Sequence, residues 1–141
     1  RQRQMCIRDR SIAEYLATRE MSAFVMDYDY NSTSLESLAN THYPFYKTVR
    51  RAHPDLPIVI VTHPYYHAEA ENDKARKDVI RETVRRAAEE GDTRVEFVDS
   101  EAFFPLQMRD LYAVDALHPN DLGQFMMARA IYPALKRALQ V

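Results

Sequence analysis

The 141-residue chain is poor in the residues that define several common protein classes. Its one cysteine, Cys6, excludes a disulfide framework and a cysteine-rich metal site. The two glycines, Gly91 and Gly123, are too few and too far apart for a glycine-rich, phosphate-cradling loop. No apolar run approaches the roughly 20 residues that cross a bilayer, so we expect no membrane span.

The chain also has no excess of positive charge. It contains 19 Lys and Arg against 21 Asp and Glu, which gives a formal net charge of -2. Nucleic acid is therefore not an expected partner, because binding to a phosphate backbone favours a strongly basic surface. Hydrophobic residues make up 46% and charged residues 28%, a composition typical of one globular domain with a buried core.

Helix-like and strand-like patterns alternate in the first half of the chain. A short helix is predicted over 11–19, and an apolar strand over 21–26. Ser34 is a predicted N-cap of the next helix, which we expect Pro44 to break or kink. Four β-branched residues at 58–61 predict a strand that is buried on both faces.

The second half continues this alternation. Residues 73–90 predict an amphipathic helix that Gly91 ends, residues 95–98 a strand, and residues 122–139 a helix whose apolar face includes Phe125. Alternation of this kind predicts an α/β fold with a parallel sheet between layers of helices. Ligands bind outside the carboxyl ends of such strands, where the polar segments 27–32, 62–63 and 99–100 lie.

Residues 115–121, with the sequence DALHPND, are the clearest candidate for acid–base chemistry. An imidazole exchanges protons near neutrality, and a partner on one ring nitrogen decides which nitrogen does so. Asp115 is placed to bind Nδ1 of His118 and leave Nε2 for a nucleophile. Asn120 or Asp121 is a good N-cap for the last helix, so His118 is expected on the preceding loop.

These residues resemble the closing element of the SGNH (GDSL-type) hydrolases, which reads Asp-x-x-His-Pro before a helix with an early glycine. Gly123 matches that glycine. The segment 29–31 resembles a second block of the family, with Asp29 where glycine is usual and Asn31 as the asparagine. The resemblance covers residues 11–141 and is closest to bacterial esterase-like members of the family.

The resemblance implies a three-layer α/β/α, flavodoxin-like SGNH hydrolase fold that lacks its first strand or strands. Residues 1–10 are interpreted as a non-native leader and 11–141 as the C-terminal part of a single hydrolase domain. The resemblance also implies that His118 is the general base, that Asp115 orients it, and that Asn31 is an oxyanion donor. No cofactor or metal is implied. The nucleophilic serine of the family sits in a Gly-Asp-Ser-like turn, which this sequence does not contain.

Aromatic residues beside the expected cleft suggest where a substrate binds. Tyr30, His63 and Tyr65 are the candidate substrate-binding residues, and the expected substrate is a small ester of a sugar or a lipid-like alcohol. One alternative stays open from the residues alone. Asp27, Asp29 and Asp99 follow two strands, so the chain is also consistent with a noncatalytic or magnesium-binding α/β module.

Overall fold

A computed structural model describes residues 10–64, 71–103, 110–115 and 118–140 of the chain. The α-helices within these ranges are α1 Arg10–Leu16, α2 Leu35–Ala52, α3 Glu71–Glu89 and α4 Asp121–Leu139. The strands are β1 Phe24–Asp27, β2 Ile58–Val61 and β3 Val95–Val98, and a 3-10 helix, Ser100–Ala102, follows β3. Of the helices described, none combines the length and the apolar character needed to span a membrane.

The three strands form one parallel sheet in the order β1-β2-β3. Ile60 of the central strand pairs with Met26 of β1 on one side and with Phe97 of β3 on the other. All four residues of β2 are buried, as its β-branched sequence predicts. Parallel neighbours need crossover connections, which contain α2 and α3. The predicted parallel α/β arrangement is confirmed.

Helices pack on both faces of the sheet. Ile58 and Ile60 point into a core shared with α1, α2 and α3, whereas Val59 and Val61 point into a second core with α4. Successive side chains of a strand point to opposite faces, so β2 contributes to both cores. The result is a three-layer α/β/α structure in which the carboxyl ends of the strands lie along one edge.

Three predicted helix ends are confirmed. The Oγ of Ser34 accepts a hydrogen bond from the Ser37 N–H at 3.1 Å at the start of α2. Gly91 follows α3 with a φ of +82°, a conformation that a glycine adopts without steric cost. The Oδ1 of Asn120 accepts from the Gly123 N–H at 2.9 Å, which caps α4.

The structure contradicts two expectations about helices: a break of α2 at Pro44, and the place of Phe125 on the apolar face of α4. Pro44 does not break α2, which continues without interruption past this residue. Pro44 and Asn40 are both exposed, so water can bind the Asn40 carbonyl that the missing N–H of Pro44 leaves without a helical donor. Phe125 is 58% exposed, whereas Met127 and Ala134 are buried on the inner face of α4.

Candidate active site

The loop before α4 presents two polar side chains at its tip. Ala113 and Pro119 form an antiparallel bridge, and the N–H of Val114 donates to the carbonyl of His118 at 2.8 Å. The chain therefore turns back on itself between these two residues. Asp115 and His118 both lie within that turn, where their side chains are exposed.

The base of this loop is held tightly against α4. The Asn120 N–H donates to the Tyr112 carbonyl at 2.9 Å, and the Asn120 side-chain amide donates to the Leu111 carbonyl at 2.8 Å. A Cβ atom on Gly123 would lie 2.2 Å from the Tyr112 oxygen, much closer than non-bonded atoms approach. Only a glycine at position 123 therefore permits this packing, which sets the position of the turn relative to α4.

Asp115 binds His118 through both of its carboxylate oxygens. Oδ1 accepts from the backbone N–H of His118 at 2.7 Å, and Oδ2 lies 2.8 Å from Nδ1 of the imidazole. Because a carboxylate only accepts hydrogen bonds, Nδ1 carries the proton and Nε2 of the neutral ring is the proton acceptor. The side chain of His118 is 69% exposed, so the ring is accessible from solvent.

A second polar loop follows β1 and contains Asn31. It begins with a turn in which the Ser32 N–H donates to the Asp29 carbonyl at 3.1 Å. Asp29 is 4% exposed, and its Oδ2 accepts from the backbone N–H of His63 at 3.3 Å. Burial raises the pKa of the Asp29 carboxyl to about 6, against the opposing effects of the His63 N–H and the Arg76 charge. Asn31 lies on this loop and is exposed.

The rings of Tyr30 and His63 contact each other beside Asn31, with their planes tilted by 33°. Their ring centroids are 3.9 Å apart, and the guanidinium of Arg76 lies 5.0 Å from the centroid of Tyr30. Burial, then the charges of Arg76 and His118, lower the pKa of His63 to about 4. His63 follows β2 and Asn31 follows β1, so both residues lie at the carboxyl edge of the parallel sheet. Tyr65, the third candidate substrate-binding residue, lies outside the described residues.

The aspartates of the magnesium alternative are bound by cations of the chain itself. Asp99 lies 3.0 Å from Lys77 and 2.6 Å from Arg81. Burial raises the pKa of Asp99, but the Glu101 N–H and these two cations hold it below its usual value of 3.8.

The other two aspartates do not complete a metal site with Asp99. Asp29 pairs with Arg76, and burial raises the pKa of Asp27 at the end of β1. In the part of the chain that the structure describes, no group of three or more His, Cys, Asp or Glu side chains could hold a metal ion. The magnesium alternative gains no support from this arrangement.

Arg76 contacts the Asn31 loop but is missing from the site predicted from sequence. A signal for it exists, because Arg76 precedes Ile80, Thr83 and Ala87 by four, seven and eleven residues, which places all four on one helical face. Those three residues are buried, and Arg76 itself is 6% exposed. A charged residue at core spacing indicates a buried polar partner, although sequence alone does not identify that partner.

Several solved structures share the fold. A protein named as a GDSL-like lipase from Bacteroides ovatus has a TM-score of 0.79 and 27% identity, over 92% of this chain and 39% of its own. A family 3 carbohydrate esterase from Talaromyces cellulolyticus has a TM-score of 0.74 and 19% identity, over 95% of this chain and 66% of its own. A family two carbohydrate esterase from Clostridium thermocellum, in complex with cellohexaose, has a TM-score of 0.67 and 23% identity, over 89% of this chain and 38% of its own.

The chain thus spans about two fifths of the length of the Bacteroides protein. No curated protein sequence matches it. The predicted three-layer α/β/α SGNH hydrolase fold is confirmed by these neighbours. The profile of the GDSL-like lipase/acylhydrolase family matches residues 5–136, which is nearly the whole sequence. The resemblance found in the sequence is therefore correct, and the chain belongs to the GDSL-like lipase/acylhydrolase family.

Proposed function

We propose that this chain carries the acid–base part of an ester hydrolase site. His118 acts as general base and then as general acid, Asp115 orients its imidazole, and Asn31 donates a hydrogen bond to the oxyanion. The observation that carries the proposal is the double contact between Asp115 and His118, because it fixes the ring and makes Nε2 the proton acceptor.

The proposed reaction is a two-step acyl transfer. A serine hydroxyl gives its proton to Nε2 of His118 while its oxygen attacks the ester carbonyl. The tetrahedral intermediate has a negative charge on the former carbonyl oxygen, and the Asn31 amide stabilises that charge by about 3 kcal/mol. His118 then protonates the departing alcohol, and a water molecule repeats the sequence to release the acid.

The nucleophilic serine is proposed to lie upstream of residue 11. Three of the six serines, all of them in the described ranges, are hydrogen-bonded or buried. The hydroxyl of Ser32 donates to the Ser34 carbonyl, Ser34 caps α2, and Ser100 is 2% exposed. No serine of the chain has a glycine neighbour for a nucleophile elbow, and the chain spans only 39% of the Bacteroides protein.

The proposed substrate is an acylated sugar. Tyr30 and His63 contact each other beside Asn31, and both residues are partly exposed, so they offer aromatic surface and polar atoms to a bound sugar. Two of the neighbours described above are carbohydrate esterases, and one of them was solved with cellohexaose. A lipid-like alcohol would gain less binding energy, because the two rings of Tyr30 and His63 offer only a small apolar surface.

The test uses the polypeptide encoded by the complete gene. Its hydrolysis of 4-nitrophenyl acetate is compared with that of acetylated xylo-oligosaccharides and of 4-nitrophenyl decanoate. His118→Ala is expected to lower kcat/KM by about 10³-fold or more. The matched control is His53→Ala, because His53 is the C-cap residue of α2 and takes no part in the proposed chemistry.

Three results would count against the proposal. Activity retained in His118→Ala would show that His118 is not the general base. A preference for the decanoate ester would show that the substrate is not an acylated sugar. The chain of residues 1–141 alone is expected to give no turnover. Hydrolysis by that chain, if abolished in His118→Ala, would show that the nucleophile is one of its own serines.

A further inference from the structure

A buried arginine ties the loop that carries Asn31 to α3. Nη1 of Arg76 donates to the Asp29 carbonyl at 2.9 Å, and Nη2 donates to the Ser32 carbonyl at 3.2 Å. These two carbonyls flank Tyr30 and Asn31, so a single guanidinium group spans the loop. Arg76 is 6% exposed, which means that its charge has been taken out of water to make these contacts.

We propose that Arg76 and Asp29 form a positioning pair that holds Asn31 in place to donate to the oxyanion. This inference rests on the function proposed above. Arg76 touches neither substrate nor reacting atoms; it acts through the backbone on both sides of Asn31. Asp29 completes the pair from within the loop.

Asp29 connects three segments of the chain. Its Oδ1 lies 3.6 Å from Nη1 of Arg76, and its Oδ2 accepts from the His63 N–H at 3.3 Å. The loop after β1, the loop after β2 and α3 therefore meet at one carboxylate. A glycine at position 29 could supply neither contact, so the aspartate has a role that follows from its charge.

The geometry of the guanidinium explains why an arginine is needed at this position. Its planar fork presents donors in fixed directions, whereas a lysine ammonium is a compact charge without such directionality. The same group lies 5.0 Å from the centroid of Tyr30 and so also covers one side of that ring. An oxyanion donor must be held to within about 0.5 Å, and a displacement of about 1 Å can reduce the rate 100-fold.

The decisive experiment is a double-mutant cycle in the enzyme encoded by the complete gene. Arg76→Met is expected to lower kcat about 100-fold with little change in KM, because the Asn31 contact forms in the transition state. Arg76→Lys restores part of the loss. In an Asn31→Ala background the same Arg76→Met change is expected to lower kcat by less than about threefold, since the residue through which it acts is already absent.

The matched control is Arg85→Met on the same helix. Arg85 pairs with Glu82 on the outer face of α3, and its substitution is expected to leave kcat unchanged. If Arg76→Met and Asn31→Ala lower kcat by factors that simply multiply, Arg76 does not act through Asn31 and the inference is wrong. Unchanged kcat in Arg76→Met would overturn it as well.

A second measurement uses the chain of residues 1–141 and needs no activity. Amide hydrogen exchange is followed by NMR at Ser32 and His63, whose N–H groups both bind Asp29. Exchange at both sites is expected to accelerate in Arg76→Met and in the milder Arg76→Lys, but not in Arg85→Met. Unchanged exchange would refute the positioning pair, whereas activity retained in His118→Ala would refute the proposed function and leave this exchange result standing.

Discussion

His42 gives a quantitative test of the core. Its side chain is 0% exposed on α2, its Nδ1 lies 2.8 Å from the Thr83 hydroxyl of α3, and its ring centroid is 5.3 Å from that of Tyr28. The buried Nε2 has no hydrogen-bond partner among the described residues. A second ring proton would therefore be buried without an acceptor, and burial lowers the pKa of His42 from 6.5 to about 4.

The direction of the pH effect follows from where the proton binds. Between pH 6.5 and pH 4 the unfolded chain protonates His42 while the folded chain does not, so stability is lost as the pH falls through this range. A pKa difference of about 2.5 units at about 1.4 kcal/mol per unit gives a total of about 3 to 4 kcal/mol, most of which is lost between pH 6.5 and pH 4. Below pH 4 both states are protonated and the loss is complete.

The assay is urea unfolding at several pH values. At each pH the unfolding free energy of His42→Asn is subtracted from that of the unsubstituted chain. Subtraction is needed because Asp29, whose pKa is raised to about 6, affects stability in the opposite direction over the same range. The free-energy difference between the two proteins is expected to shrink by about 3 kcal/mol from pH 6.5 to pH 4. A difference that does not vary with pH would refute the reasoning, and His53→Asn is the control.

Three further predictions concern the loops of the site. Asn31→Ala is expected to lower kcat for ester hydrolysis by the polypeptide of the whole gene by 10² to 10³-fold with little change in KM, because the proposed oxyanion donor is lost. Asp115→Asn is expected to lower kcat by about 10⁴-fold, since an amide facing Nδ1 favours the tautomer in which Nε2 carries the proton. Gly123→Ala is expected to cost about 3 kcal/mol in urea unfolding, whereas Gly91→Asn, with no neighbour within 4 Å and a φ of +82°, costs less than about 1 kcal/mol.

Local features of the fold were predictable because their causes lie within a few residues. The β-branched run at 58–61 forms β2 with the predicted bounds, and Ser34 and Asn120 cap their helices through side chains three residues from the bonded amide. The contact between Asp115 and His118 is also local, since one turn separates them. Short-range patterns of this kind need no knowledge of the partner elements.

Features that depend on distant partners were not predictable. His42 is buried because Thr83, 41 residues away, supplies a polar partner inside the core. Arg76 is buried because the carbonyls of Asp29 and Ser32, on a loop more than 40 residues upstream, accept hydrogen bonds from its guanidinium group. In both cases a polar group is buried because another segment satisfies it, and that pairing has no signature in the local sequence.

The central claim is that Asp115 fixes the imidazole of His118 with its proton on Nδ1. The most direct test is the ¹⁵N NMR spectrum of the neutral ring in the chain of residues 1–141, which distinguishes the two tautomers without any turnover. We predict the Nδ1–H form in the unsubstituted chain and its loss in Asp115→Ala. A ring that carries its proton on Nε2 in both proteins would contradict the account.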